Sequence, residues 1–437
     1  MHSPSLLSPP SDVSGGTMHP LNWLFGLRAS DAGSAAQPLP PSKDPWYKAP
    51  AGFEATQPGT ILRIRPTPGN LAALVGNTSA SYNILYRTTD SHLQPSWAVT
   101  TLFIPTSFWV SSSGKIPLIS YQPAYNTANL DSSPSFTLHQ GQSQAVIDMG
   151  MQSETSLFTE MLHLGWIVNI PDFEGPTAAF CAGVLAGRAT LDSIRAVLNL
   201  ARLTGAAEMT TAIWGYSGGS IATGAAAEMQ VQYAPELDIS GVVLGGLLDN
   251  LSDNLNLLNK SPLSSNIVNG LLGLMSQYPE ASAYVRSRLR PEAADEFLSA
   301  KDISSGESVA KFAMKDVHSY FVGGGEDLQA PLIRRILNAE GRRGTYGVPA
   351  MPMFIYKAIG DQFCPIGLTD SLVETFSKAG ADITYERNTV GAHVSEIENG
   401  VGRVIKWLWH IYDESYTPSA EGCTIRDVSV KVSPLNI

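Results

Sequence analysis

What this sequence has little of narrows it first. Only 15% of its residues are charged, and they lean to one sign: 28 Lys and Arg against 39 Asp and Glu, for a net charge of −11. That balance excludes nucleic acid as the expected partner and disfavours anionic membrane surfaces, while contact with a neutral lipid interface stays open. No apolar run reaches the ~18 residues that an integral membrane segment needs. Cysteine is scarce: Cys181, Cys364 and Cys423 are the whole set. One intramolecular disulfide can form at most. Cys364 and Cys423, both in the last quarter of the chain, are the favoured pair, and three unpaired thiols are the alternative. No Cys/His spacing suggests a zinc site, so neither metal nor cofactor is expected. A basic stretch followed by an apolar run of about 7–15 residues, as in a signal peptide, is also missing. Residues 1–17 are rich in Ser, Pro and Gly, and the apolar stretch from Pro20 to Leu27 is short and interrupted.

What is present is apolar residue in quantity. Hydrophobic residues make up 43% of 437, enough for one large core with an insertion, or for two domains. The stretch Thr211–Glu228 organises the rest. It opens on an apolar, partly β-branched run and closes on an Ala-rich run of high helix propensity. Between them lies Gly215-Tyr216-Ser217-Gly218-Gly219, a G-x-S-x-G pentapeptide. In that motif a strand turns sharply into a helix and holds the serine at the tip as a nucleophile. The alternative is a Gly-rich turn capped by a serine, which leaves the change of flanking type at this point unexplained.

Around this centre, strands are expected at Ser81–Thr88 and Ser96–Pro105 (an antiparallel pair), Lys115–Tyr121, Trp166–Ile170, Ile239–Gly245, Met353–Ile359 and Ile383–Asn388. Helices are expected at Met149–Leu164, Ala186–Leu203, Leu368–Lys378 and Val401–Tyr412. Strands alternating with helices imply a mostly parallel sheet. From Leu247 to about Arg343 no strand is expected. Helices at Ser261–Ser276, Ala281–Leu298 and Leu328–Ala339 suggest a cap over the active-site edge. Ile267, Leu271, Leu272, Leu274 and Met275 would line an acyl tunnel there, or simply form core. The chain thus divides into a flexible leader (1–45), a first part of an α/β core (46–246) that starts with an extended arm, a helical cap (247–345), the second part of the core (346–413) and a tail (414–437).

A serine hydroxyl needs a base to take its proton, and the base needs a carboxylate to hold its tautomer. In the α/β-hydrolase fold the chain order is Ser, acid, His. Asp361 directly follows one apolar strand and His393 follows the next, both after Ser217. His410 falls inside a helix, His318 precedes the acid, and Asp382 starts a strand, at the wrong edge of a parallel sheet. The oxyanion of the reaction would be held by the N–H of Gly218, just after the nucleophile, and by one from the loop after Lys115–Tyr121, where Asn126 is the expected donor. The alternative for that loop is a plain polar connection. Asp172 and Glu174 could form an acid/base pair but are expected to satisfy loop backbone groups.

These residues carry a resemblance. Gly215–Gly219 with its Ala-rich helix, Tyr233-Ala-Pro-Glu-Leu237, Ser120-Tyr-Gln122, Asp172-Phe-Glu-Gly-Pro176 and the Asp361 and His393 loops resemble the fungal secretory lipases of lipase A type over about residues 50–430. The resemblance implies an α/β-hydrolase with a large helical cap, a Ser217–Asp361–His393 triad, oxyanion donors at Asn126 and Gly218, and secretion. The family pattern has an acidic residue where Asn126 stands. The activity it implies is hydrolysis of carboxylic esters, triacylglycerols or other lipid esters, through an acyl-enzyme. The alternatives are a deacetylase or acyltransferase for a fungal secondary metabolite, such as a trichothecene acetate, and a non-catalytic binding scaffold.

Overall fold

The computed structural model describes residues 37–139, 157–419 and 422–432, together with the backbone of 16–18. In chain order its strands are β1 (Gly16–Met18), β2 (Ile61–Pro66), β3 (Thr78–Thr89), β4 (Pro95–Pro105), β5 (Phe108–Val110), β6 (Ile116–Gln122), β7 (Ile167–Pro171), β8 (Met209–Tyr216), β9 (Ile239–Gly245), β10 (Met353–Ala358), β11 (Ile383–Asn388) and β12 (Cys423–Val428). β1 and β5 form a small antiparallel ribbon. The other strands build one ten-stranded sheet in the order β12-β11-β10-β9-β8-β6-β7-β4-β3-β2. From β12 to β7 all neighbours are parallel, and β4, β3 and β2 close the far edge antiparallel. This is the α/β-hydrolase architecture.

The strand period of two decides which face each side chain covers. On β8, Ala212, Trp214 and Tyr216 pack into one apolar cluster and Ile213 into the opposite one. On β10, Phe354 and Tyr356 share the first cluster, and Met353 and Ile355 the second. Helix Ser395–Tyr412 and the helical residues 157–163 cover the first face. Helices Gly183–Thr204, Gly218–Tyr233 and Ile366–Lys378 cover the other. A central strand covered on both sides must be apolar almost throughout. Trp214 is fully buried at its centre, and truncating such a ring costs about 3–5 kcal/mol.

Between β9 and β10 the chain is helical: Leu251–Leu258, Ser265–Gln277, Pro279–Arg288, Pro291–Leu298, Ser305–Phe312 and Pro331–Gly341 are its longer elements. These helices bury their apolar faces in a cluster of their own that also takes in Phe180, Ile221, Phe363 and Cys364. Those four follow β7, β8 and β10 in the chain, so the helical region sits over the carboxyl edge of the sheet. Ile267, Leu271, Leu272, Leu274 and Met275 are buried inside this cluster as core.

Several expectations need correction. The helix expected over Ala281–Leu298 is two helices, because Pro291 lacks the N–H that a continuous helix needs and instead starts the second one. The supposed surface arm contains β2, which extends the sheet. The supposed tail contains β12, an edge strand parallel to β11. The leader's last residues pack on the core: Ser42 donates from its N–H and hydroxyl to Asp131, and Asp44 pairs with Arg65 at 2.7 Å. The rest of the leader, apart from β1, and residues 149–156 of the expected helix lie outside the described residues. Finally, Cys364 and Cys423 are not bridged, and all three cysteines are free thiols. The reason is topological. Cys423 is level with Ile383 and Met353 at the start of their strands, whereas Cys364 lies beyond the end of β10. A strand rises ~3.3 Å per residue, so the two are separated by far more than the ~7 Å that a disulfide spans.

Candidate active site

The site begins with the sharp turn after β8. Tyr216 ends the strand, Gly218 begins the helix, and Ser217 alone makes the turn with φ 50° and ψ −120°. A non-glycine residue there stores about 1–3 kcal/mol and persists only when its surroundings hold it. They do: Ser217 N–H donates to Gly245 O at 3.0 Å, and Ser220 Oγ donates to Ser217 O at 2.5 Å. Gly219 is required by space: a Cβ there would stand 1.9 Å from the backbone oxygen of Gln122, whereas one on Gly218 would displace the amide end of Asn126, 1.8 Å away. As the first residue of its helix, Gly218 has an N–H with no intrahelical acceptor.

Asp361 and His393 arrive from the loops after β10 and β11. Ser217 Oγ lies 2.7 Å from His393 Nε2, and His393 Nδ1 lies 2.7 Å from Asp361 Oδ2. The other carboxylate oxygen accepts from Phe363 N–H at 3.0 Å and Cys364 N–H at 2.8 Å. Tyr216 Oη donates to His393 O at 2.5 Å and fixes the histidine loop. Burial alone would raise the Asp361 pKa. The hydrogen bond and charge of His393, with Lys357 and the Cys364 N–H, outweigh burial and hold it below the ordinary value. An ionised Asp361 only accepts, so the imidazole proton sits on Nδ1 and Nε2 faces Ser217 as a free base.

Lys357, fully buried on β10, supports this corner. It donates to Leu247 O and to Thr369 Oγ1, each at 2.8 Å, and lies 3.6 Å from Asp249. Donor atoms of Asp361, Cys364 and His393 also fall within 4.8 Å of one another, a metal-like grouping. Its chemistry points elsewhere. Burial pushes the Cys364 thiol well above its usual range and keeps it protonated, and Asp361 and His393 are bonded to each other.

Asn126 adopts the left-handed conformation at φ 41° and lines a cavity in front of Ser217 and Gly218. Its loop is tied to the helical region. Asn269 Nδ2 donates to Asn126 O at 2.9 Å, Ser308 Oγ donates to Asn269 Oδ1 at 3.1 Å, and Ser305 Oγ donates to Tyr125 O at 3.2 Å. From below, Glu174 N–H donates to Tyr125 Oη at 2.7 Å. Asp172 accepts from Ser135 N–H at 2.9 Å and Ser135 Oγ at 2.5 Å. The Asp172 carboxylate and the backbone N–H of Glu174 brace loops, and neither residue lines the cavity. Burial, which is nearly complete, raises the pKa of both; for Asp172 the value reaches about 7.

The cavity against Ser217 encloses about 20 Å³ of free space. Phe180, Cys181, Leu248, Leu251, Leu255 and Leu258 make its apolar wall, and Asn126, Asn254 and Asn266 its polar one. None of the five residues considered for an acyl tunnel lines it. A larger open depression of about 300 Å³ around Glu296, Lys315 and Tyr320 holds no nucleophile–base pair. Sequence reasoning missed Asn254 and Asn269, which follow no motif: each shares its helix with a second asparagine, Asn256 or Asn266, and no local pattern tells them apart.

The profile of the secretory lipase family matches residues 140–419. A probable trichothecene esterase of Stachybotrys chartarum is 49% identical over 427 residues, covering 95% of this chain and 88% of that protein. A trichothecene C-3 esterase of Fusarium sporotrichioides is 44% identical, covering 93% of this chain and 92% of that protein. Among solved structures, Candida antarctica lipase A in its closed state superposes with a TM-score of 0.80 at 26% identity, covering 91% of each chain.

Proposed function

Taking as premise that this chain belongs to the secretory lipase family and is a serine hydrolase of carboxylic esters, we propose that Ser217, His393 and Asp361 cleave a short-chain acyl ester of a fungal secondary metabolite of trichothecene type. In this reading Ser217 Oγ attacks the ester carbonyl and His393 Nε2 takes its proton. The N–H groups of Gly218 and Asn126 hold the oxyanion, and one such donor is typically worth ~10²–10³ in rate. His393 then protonates the leaving alcohol. Water attacks the acyl-Ser217 ester and loses its proton to His393, which passes it to Ser217 Oγ as that bond breaks and the carboxylic acid departs. Asp361 keeps His393 in the right tautomer and stabilises the imidazolium.

The observation that carries the substrate class is the cavity at Ser217. About 20 Å³ of free space directly against Ser217 is the room for one water or a methyl-sized group. Two relatives named as trichothecene esterases, covered almost end to end, support the same class. Secretion belongs to the proposal and is supported by the family's description. A second reading, a lipase whose helical region swings away to admit long acyl chains, is favoured by the likeness to a lipase solved in a closed state.

The deciding experiment measures kcat/KM on p-nitrophenyl esters from acetyl to palmitoyl, beside Ser217→Ala. A preference for acetyl that vanishes in the variant is the expected result. A maximum at eight carbons or more moves the assignment to the second reading. Turnover that survives in Ser217→Ala removes the serine from the mechanism.

A further inference from the structure

The cavity before Ser217 has one feature that a hydrocarbon pocket would not need. Asn254, on helix Leu251–Leu258, lines it and is 1% exposed. Its Nδ2 donates to Phe363 O at 2.9 Å. A carbonyl can only accept, so this bond fixes which end of the amide is nitrogen. The other end, Oδ1, is buried and has no hydrogen-bond partner. Asn126 Oδ1, on the wall of the same cavity, is likewise buried without a partner. Buried acceptors are normally satisfied, and each exception calls for a reason. Two unpartnered acceptors on residues that line one small space beside a nucleophile call for a donor.

We propose that Asn254 is a specificity-determining residue: its Oδ1 accepts a hydrogen bond from a hydroxyl group adjacent to the scissile ester. The preferred substrates are then monoesters of vicinal diols on a ring, rather than their deoxy counterparts or simple glyceride chains. The inference rests on the reading of Ser217 as nucleophile of a small-ester hydrolase and adds the alcohol to it. An acceptor built for a substrate hydroxyl discriminates strongly, because a substrate without the hydroxyl leaves that acceptor unpaired in the closed complex. The same O–H chemistry could come from a water held in the cavity, which has room for one.

The test compares three acetates on the full-length enzyme: the monoacetate of cis-cyclohexane-1,2-diol, cis-2-fluorocyclohexyl acetate and cyclohexyl acetate. Fluorine keeps the electron withdrawal of the hydroxyl but cannot donate. The ratio of kcat/KM for the hydroxy over the fluoro ester is expected to be roughly tenfold or more. In Asn254→Leu it falls to about 2 or less, and in the smaller Asn254→Ser to an intermediate value. Active sites are counted by phosphonate labelling of Ser217, so loss of the Phe363 contact, which slows all three esters alike, cancels in the ratio. A wild-type ratio near one overturns the proposal even where no variant folds. So does a ratio that Asn254→Leu leaves unchanged, and a wild-type ratio near one is the result that a water filling the acceptor would give. Absence of Ser217-dependent turnover on every ester overturns the small-ester reading itself, and this inference with it.

Discussion

Replacing Asp361 with asparagine keeps the shape of the side chain but exchanges one charged acceptor oxygen for a neutral NH₂ donor. Asp361 Oδ1 receives two backbone donors, Phe363 N–H at 3.0 Å and Cys364 N–H at 2.8 Å. Those donors are fixed, so in Asp361→Asn the amide oxygen turns to them and the NH₂ faces His393 Nδ1, now 2.7 Å from a donor. Nδ1 must then accept, and the imidazole proton moves to Nε2. That proton points at Ser217 Oγ across 2.7 Å, where a lone pair is required. The base is lost, together with the charge that stabilises the imidazolium. A change of this kind typically lowers kcat by ~10⁴, or about 5.5 kcal/mol of transition-state stabilisation. Because the backbone bonds survive, the variant still folds at neutral pH and loses only the stability that the ionised carboxylate supplied. The assay is kcat and KM on p-nitrophenyl acetate at neutral pH, with phosphonate labelling to count competent serines. A fall of less than about tenfold in kcat, with full labelling, would refute the tautomer argument.

Three further outcomes are expected. Gly219→Ala places a Cβ 1.9 Å from Gln122 O, a backbone atom at the end of β6 that cannot swing aside. The strain should cost about 3 kcal/mol or more, read as a lowered melting temperature, and an unchanged one would contradict the close approach. The Asp172 carboxyl has a folded-state pKa of about 7, above its ordinary 3.8, so the folded chain holds that proton more tightly than the unfolded one. Its contribution is therefore most favourable at low pH and is lost as pH rises between those values, by at most roughly 4 kcal/mol. Denaturant midpoints at pH 5 and pH 8 should differ less in Asp172→Asn than in the parent, and an equal drop in both would exclude Asp172 as its source. Asp361 works with the opposite sign. Its folded-state pKa lies below 3.8, so the stability it adds is present above that value and lost as pH falls through the lowered one. The acid limb of the unfolding curve, below about pH 4, should be shallower in Asp361→Asn, and an unchanged limb would exclude Asp361 from it.

Local pattern in the sequence was enough for the α/β class, the central strands and the turn at Ser217. An apolar run, a G-x-S-x-G pentapeptide and an Ala-rich run are written within eighteen residues, and their physics is local. Chain order then singled out Asp361 and His393, because only residues at the carboxyl ends of parallel strands can meet there. Edge elements were harder to read. β2 and β12 are half-exposed and mixed in composition, so they carry little hydrophobic pattern and are strands only because β3 and β11 offer them hydrogen-bonding partners. The Cys364–Cys423 pair was reasonable from proximity along the chain, but the two sit at opposite ends of the strands, a matter of sheet register.

The features that bear on substrate were decided by tertiary structure alone. Asn126, Phe180 and Asn254 are far apart in the chain and share one cavity wall only because the helical region folds back over the sheet edge. Whether Asn254 Oδ1 has a partner depends on Phe363, 109 residues away, which takes the other end of the amide. Sequence determines which groups are available and roughly where each strand and helix runs, because those preferences act over a few residues. The size of the space in front of Ser217, and the acceptors left unpartnered on the residues that line it, are set by long-range packing, which no local pattern records.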